Sequence, residues 1–152
     1  MRILKIGDKD YKLEYTIEAS LYDECTEKVT EMMFSLAEAQ GKESIKEFVH
    51  SMKNIPQTTL TMFYAGLLEH HGEDGDGTVL TKKDAKKLIK QYFEEHADDD
   101  TGNFYGIMGI LMEQMGEDGF FKQIGLQQMN QTEKEPKQPQ DHKKKTAKPT
   151  EK

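Results

Sequence analysis

Apolar residues at helical spacing constrain the fold of this sequence more than any other feature. Between Glu18 and Gln40 they recur at steps of three and four residues, and the same pattern returns along the chain as far as Met115. That repeat places them on one face of an α-helix. The first such stripe consists of Leu21, Cys25, Val29, Met32, Met33 and Leu36. We therefore expect a mainly α-helical domain whose helices pack against one another.

Further helices are predicted from the same repeat. They are predicted to begin at or just after Ser44, Pro56, Thr81, the acidic run Asp98–Asp100 and Glu117, and the last of them is short. Thr81 and Asp84 have the spacing of a helix N-cap with an acid in the first turn, close to a capping box. Gly41 and Gly116 are predicted to end their helices. The total is five to six helices.

An N-terminal β-hairpin is predicted over residues 2–15. Leu4 and Ile6 alternate with Lys5, the same alternation follows in "YKLEY", and "GDKD" between them is typical of a turn. Two strands alone are only marginally stable in water. The hairpin must therefore dock on helices, and the sequence leaves open whether these belong to its own chain or to a neighbour.

Charge is divided unevenly along the chain. Residues 130–152 carry seven lysines and four acids, which is a net charge of +3. Because the whole chain has a net charge of -7, the first 129 residues have a net charge of -10. An acidic body repels phosphate, which argues against specific nucleic-acid binding. The last 23 residues contain three of the four prolines and no aromatic residue. We predict a helical domain over 1–129 and a disordered basic tail over 130–152.

No long apolar run is present, which excludes a membrane span. The opening "MRILKIGDKDYKLEY" alternates charged and apolar residues and shows no secretory signal, so we expect a location in the cytoplasm. Cys25 is the only cysteine, which excludes an internal disulfide. Its place in a predicted helix favours a small buried apolar residue over a nucleophile.

The stretch "HHGEDGDGTVLTKKD" resembles part of an EF-hand calcium loop. With Gly77 at the bend, Asp74 and Asp76 occupy ligand positions 3 and 5. Position 1 is then Gly72, and the position of the bidentate acid is Lys83, whose charge opposes a cation. A Gly/Asp connection that ends at a helix cap explains the stretch better than a calcium site.

No other motif indicates chemistry. His70 and His71 are adjacent on a helix end, where their side chains point apart, and adjacent histidines of this kind rarely chelate one ion. The sequence contains no glycine-rich phosphate loop, nucleophile elbow or His-Glu-x-x-His motif. We therefore expect no enzyme activity, no cofactor and no metal.

Methionine is abundant, with nine in 152 residues, and it concentrates with phenylalanine in the C-terminal part of the predicted domain. Faces rich in methionine adapt to irregular partner surfaces, although a methionine stripe at helical spacing also fills a core. Gly106 and Gly109 weaken this helix by about 1 kcal/mol each relative to alanine. The glycines predict either a mobile helix or one that another backbone approaches closely.

Three segments resemble the tail assembly chaperones of long-tailed phages and prophages of Gram-positive bacteria. They are "KIGDKDYKLEYTIEASLYDEC", "TKKDAKKLIKQYF" and "FYGIMGILMEQMGEDGFFKQIGL". The likeness covers about residues 5–125. It rests on the order and style of these segments and on no invariant catalytic motif.

The resemblance implies a non-enzymatic protein of the bacterial host cytoplasm that is absent from the mature virion. It would bind the tape measure protein and keep it soluble while tail tube subunits assemble. It leaves the tail tube protein open as a second partner, and it leaves a homo-oligomer open. We hypothesise that the methionine-rich face contacts the tape measure protein. That face consists of Phe104, Ile107, Met108, Leu111, Met112, Met115, Phe120 and Phe121.

Other interpretations stay open. The family also implies a longer form made by ribosomal frameshifting, for which the codons of Lys143–Lys145 offer a place, although a solvated basic tail explains these lysines better. A helical adaptor or regulatory protein would have the same composition. A degenerate EF-hand-like calcium-binding module is favoured by the aspartate loop alone.

Overall fold

The computed structural model of the protein describes residues 1–39 and 53–126. Two strands and six helices are found there. In chain order they are β1 (Arg2–Ile6), β2 (Lys9–Leu13), α1 (Ile17–Leu21), α2 (Asp23–Ala39), α3 (Ile55–His71), α4 (Lys82–Glu95), α5 (Phe104–Glu117) and α6 (Phe120–Gln123). The predicted fold class, a mainly α-helical domain with an N-terminal hairpin, is confirmed. None of the described helices is long and apolar enough to cross a membrane.

The hairpin forms where the alternation predicts it. β1 and β2 are antiparallel, with Arg2 opposite Leu13 and Ile6 opposite Lys9. The two-residue turn needs a left-handed conformation, which Gly7 supplies with a φ of 61°. The inward residues of both strands are buried, and the alternation extends one step beyond β2 to Tyr15, which has no exposed surface.

The hairpin docks on helices of its own chain, which answers the question that the sequence leaves open. The Glu14 N–H donates to the carbonyl oxygen of Gly66 in α3 over 2.9 Å. At the turn, the Gly7 N–H donates to both carboxylate oxygens of Glu95, at 2.9 and 3.0 Å. Strand β2 can approach α3 this closely because residue 66 has no side chain.

The prediction of a single helix from Glu18 to Gln40 is wrong in one respect. The chain breaks it at Tyr22, whose ψ of 93° is extended, and so separates α1 from α2. The Tyr22 ring meets Tyr64 of α3 edge to face, with centroids 5.4 Å apart, and its hydroxyl donates to Glu24 over 2.7 Å. These contacts stabilise a helix break at a position where the sequence has neither glycine nor proline. As a result Leu21, expected in the buried stripe, is 70% exposed.

Other boundaries lie close to their predicted positions, except the start of α5. This helix begins at Phe104 and not at the acidic run over 98–100, because the Asn103 side chain caps it. The capping box at α4 is confirmed, since Thr81 Oγ1 accepts the Asp84 N–H and the Asp84 carboxylate accepts the Thr81 N–H. Helix α5 runs one residue past Gly116, and α6 lies within the predicted short last helix. The helix predicted from Ser44, its preceding Gly41 and the tail over 130–152 lie outside the described residues.

The core surrounds α3, which contacts α1, α2, α4, α5 and β2. Its residues Met62, Phe63 and Leu67 have no exposed surface. The Tyr15 hydroxyl donates to the carbonyl oxygen of Met62 over 2.9 Å, so the most buried tyrosine has its polar atom satisfied. Cys25 is buried in the same core, and burial raises the pKa of its thiol to about 12. A thiol in that state is a poor nucleophile.

Candidate partner-binding surface

Helix α5 carries most of the predicted partner-binding residues, and its first turn is fixed by two local features. The Asn103 side chain accepts the Gly106 N–H over 2.9 Å, which caps the helix. The backbone of Asp100 lies where a side chain at residue 106 would project. The loop that precedes α5 therefore packs on its first turn, which is the close backbone approach anticipated for this helix.

The eight predicted residues divide into two groups of four. Ile107, Leu111, Met115 and Phe120 have no exposed surface and form part of the core. The other four are half-buried and pack against the core from its edge. We call these four the half-buried set: Phe104, Met108, Met112 and Phe121. Only this set reaches the surface, so the predicted face is narrower in the folded chain than the sequence indicated.

Aromatic contacts hold both ends of this region. Phe104 meets Phe93 of α4 edge to face, with centroids 4.9 Å apart. In α6, the centroid of the Phe120 ring lies 5.7 Å from that of the Tyr15 ring and 6.0 Å from that of the Phe121 ring. Edge-to-face pairs of this kind stabilise by about 1 kcal/mol beyond their buried area. Helix α5 is thus held at its first residue and, through α6, beyond its last.

The outward side of α5 is apolar as well, and the sequence analysis missed it. Tyr105 is 67% exposed, Gly109 and Gly116 are exposed, and Met112 is half-buried between them. We call these four residues the outer stripe: Tyr105, Gly109, Met112 and Gly116. Their spacing of four, three and four residues can be read from the sequence. The pattern is easily overlooked because two of its four members are glycines, which a search for large apolar side chains leaves out.

The two glycines of α5 nearest its start differ in their surroundings, which predicts opposite effects of alanine. A Cβ at residue 109 would meet nothing within 4 Å, whereas one at residue 106 would meet the Asp100 backbone. Gly109→Ala should raise the free energy of unfolding by about 1 kcal/mol through helix propensity. Gly106→Ala should lower it, because backbone cannot move aside cheaply. Chemical denaturation measures both, and equal shifts would contradict this packing of the loop.

Just beyond α5, Asp118 connects the region to the N-terminal part of the chain. Its carboxylate accepts the Tyr15 N–H at 2.9 Å, the Gln114 amide at 2.8 Å and the Met1 amino group at 3.1 Å. Burial opposes ionisation, but these three donors outweigh it and lower the pKa of Asp118. Gln114, a buried polar residue of α5, is satisfied by this contact. Sequence reasoning missed both residues.

The Gly/Asp loop uses the carboxylate of Asp76 for its own structure. Asp76 Oδ1 accepts the N–H and the hydroxyl of Thr78, at 3.0 and 2.6 Å, and Oδ2 lies 2.9 Å from His71 Nδ1. The Thr78 hydroxyl and the His71 ring lower the pKa of Asp76 to about 2. This carboxylate already has partners on both oxygens without a metal ion.

The two histidines at the end of α3 have different partners. His70 Nε2 lies 2.6 Å from the Glu14 carboxylate, whereas His71 Nε2 accepts the Lys12 N–H over 2.9 Å. Because a backbone N–H can only donate, His71 is neutral here and donates from Nδ1 to Asp76. The two rings thus fasten the end of α3 to β2, through Lys12, and to the residue that follows it, Glu14.

Calcium is expected to leave the stability of the protein unchanged. A ligand that binds the folded state must raise the melting temperature. Binding at the Gly/Asp loop would require Asp76 to release Thr78 and His71, and Lys83 stands at the position of the bidentate acid. Thermal unfolding with millimolar calcium, with magnesium as the control, should give the same midpoint. A rise with calcium alone would support the calcium module instead.

A second charged cluster joins α2, α3 and α4. The Glu24 carboxylate accepts from Lys82 at 2.5 Å, from Tyr22 at 2.7 Å and from Thr61 at 3.3 Å. Lys82 is the main cause of the lowered pKa of Glu24. Each polar group here is paired with another, so the cluster stabilises the packing of three helices and offers no free general base.

Within residues 1–39 and 53–126, no three His, Cys, Asp or Glu side chains are placed to hold a metal ion. In the same residues every buried side-chain nitrogen or oxygen has a hydrogen-bond partner. The chain matches no family model, no curated protein and no solved structure. The surface of α5 therefore stays a candidate that was predicted from the sequence.

Proposed function

We propose that this chain is a non-enzymatic phage or prophage tail assembly chaperone of the bacterial host cytoplasm. Its partner is the tape measure protein, which it keeps soluble while tail tube subunits assemble. The proposal rests on the resemblance of three segments to that class. The structural observation that supports it most is the apolar, solvent-facing side of α5, a helix that lies within the third of these segments.

An exposed apolar helix face is the surface that a holding chaperone needs. Its client exposes apolar helix faces of its own, and burying one face against the other removes both from water. Methionine at residues 108 and 112 suits this task because its unbranched side chain adapts to different partner surfaces. The core residues beneath, with Leu111 among them, hold the surface rigid.

Lysine substitutions on this surface test the assignment. Met112→Lys and Tyr105→Lys should each abolish co-purification of the tape measure protein, because a charge replaces an apolar contact. Tyr105 is 67% exposed, so Tyr105→Lys should leave the melting temperature near that of the parent protein even if Met112→Lys lowers it. A matched control is Leu21→Lys, since Leu21 is 70% exposed and lies on α1. Binding by both α5 variants as folded proteins would refute the α5 surface.

A helical adaptor or regulatory subunit is the alternative function, since it would use the same surface. Gene neighbourhood separates the two. A gene for a long, helix-rich protein directly downstream supports the chaperone, and its absence supports the adaptor. The longer form made by frameshifting remains part of the family expectation and concerns residues beyond those described.

A further inference from the structure

The outer stripe of α5 has the spacing of a helix-packing seam. Tyr105, Gly109, Met112 and Gly116 follow one another at steps of four, three and four residues. Residues at this spacing lie along one line of a helix, and it is the spacing by which one helix packs lengthwise on another. Helix α5 has 14 residues, so the line is about 21 Å long.

The two glycines make the stripe a shallow groove. Apart from adjacent residues and the backbone of the helix itself, no heavy atom lies within 4 Å of a Cβ built on Gly109 or on Gly116. The side chains of Tyr105 and Met112 project on either side of Gly109, so large residues alternate with glycines along the stripe. Small residues alternating with large ones let a second helix approach closely while its own side chains fill the low positions. The shape therefore favours a helix as occupant over an extended strand.

Charge along one border of the groove indicates the chemistry of that helix. No lysine or arginine occurs between Lys90 and Lys122, a span with eight acids. Glu113 and Glu117 are exposed and continue the row of Tyr105 and Gly109 at steps of four residues. Glu113 accepts a hydrogen bond from Arg2 over 2.7 Å but keeps a 60% exposed side chain.

The acidic border continues at the first turn of α5. The loop over residues 98–100 consists of three exposed aspartates and packs on Gly106, which lies two turns before Glu113 on the same side. The Thr101 hydroxyl and the His96 ring lower the pKa of Asp99 to about 2, so this acid is ionised at neutral pH. Acids therefore flank the groove from its beginning to its end.

Helix α4 provides a contrast within the same chain. It also has 14 residues, and five of them are lysines, most of them exposed. Its outward side is polar, as expected of a helix that faces only water. Helix α5 contains no basic residue, and its outward side is apolar with acids on one border. The two helices therefore differ in the charge and polarity of the side that faces solvent.

We infer that the outer stripe of α5 receives one amphipathic helix whose apolar ridge has 4-3 spacing and whose flank carries lysine or arginine. The inference rests on the proposed function, since it names the part of the client that the chaperone holds. Apolar contacts along the ridge supply most of the affinity, and the acids select and orient basic segments. Acidic or uncharged amphipathic helices of the client are discriminated against by the acidic border.

Synthetic helical peptides of about 20 residues test this inference on the full chain. One peptide has leucines at 4-3 spacing with lysines on the flanks, a second replaces the lysines by glutamates, and a third scrambles the first. Fluorescence anisotropy should show the basic amphipathic peptide binding on the order of tenfold more tightly than either other peptide. Raising the salt concentration should weaken its binding. Equal binding of the three peptides would overturn the inference.

Reversing the charge of the acids on α5 tests whether they select the peptide. The double variant Glu113→Lys, Glu117→Lys should lose the basic peptide and gain the acidic one, whereas Glu94→Lys on α4, a 68% exposed control, should behave like the parent protein. Met112→Lys should bind neither peptide. If the double variant keeps the parent's preference, the acids of α5 do not select the partner and the inference fails.

Two other occupants of the groove would also overturn it. A second copy of the chain is the occupant if sedimentation shows a dimer that Tyr105→Lys dissociates. The basic tail is the occupant if a peptide of residues 130–152 binds as tightly as the amphipathic peptide. The proposed function is tested separately. If the client co-purifies through α5 but the peptides bind without selectivity, the chaperone function is retained and only the inference of a basic helical partner is rejected.

Discussion

Replacing Gly66 by leucine is expected to lower the free energy of unfolding by on the order of 3 kcal/mol. Even the Cβ of alanine would lie 2.9 Å from Tyr15 Cζ and 3.0 Å from Leu13 Cδ2. Neither neighbour can move cheaply, because both are fully buried and the Tyr15 hydroxyl is bonded to Met62. A leucine would push β2 off α3 and break the Glu14–Gly66 hydrogen bond.

The same substitution elsewhere provides the control. Gly109→Leu places leucine at an exposed helix position with open space, where helix propensity favours it. Urea denaturation of Gly66→Leu, Gly66→Ala and Gly109→Leu should give a large loss, a smaller loss and a gain of stability. If Gly66→Leu is as stable as the parent, the hairpin does not dock on α3 through this glycine.

Asp118→Ala is expected to produce the second large loss, also on the order of 3 kcal/mol. The substitution removes the acceptor of the Tyr15 N–H and of the Gln114 amide, and Gln114 is only 1% exposed. Each buried donor left without an acceptor costs about 1–3 kcal/mol. Asp98→Ala in the exposed acidic loop is the control and should change stability little. Equal loss from the two alanine variants would contradict the role of Asp118.

The contribution of Asp118 should also depend on pH. Because the pKa of this carboxyl is lower in the folded protein than its ordinary value, ionisation stabilises the fold at pH above that ordinary value. The contribution is lost as pH falls through the folded pKa. The stability difference between the parent protein and Asp118→Asn should therefore shrink in acid. A difference that stays constant down to the lowest pH at which the parent folds would show that the charge is unimportant.

Elements with a local cause were predictable from the sequence. The hairpin follows from strand alternation around a turn, and α4 follows from its capping box, whose residues lie three apart. The break at Tyr22 was not predictable, because its cause is the Tyr64 ring on another helix. Long-range packing of this kind overrides helix propensity without leaving a sign in the local sequence.

The candidate surface shows the same division. Periodicity placed residues 104–115 on a helix, but it could not distinguish the side of α5 that faces α3 from the side that faces solvent, because both are apolar. Ile107 and Leu111 are core residues for that reason. Tyr105 was missed because it falls outside the larger stripe. Asp118 was missed because two of its three partners, Tyr15 and Met1, lie more than 100 residues away in the chain.

The most direct test of the central claim is co-expression of this chain with its proposed client, a tape measure protein, in which the soluble fraction of the client is measured. A chaperone should make the client soluble and co-purify with it. Removal of residues 130–152 should leave both effects intact, because the α5 surface lies in the folded body. Loss of binding on truncation would move the site to the tail. A client that stays insoluble beside a folded chain would contradict the tail assembly chaperone and leave the helical adaptor.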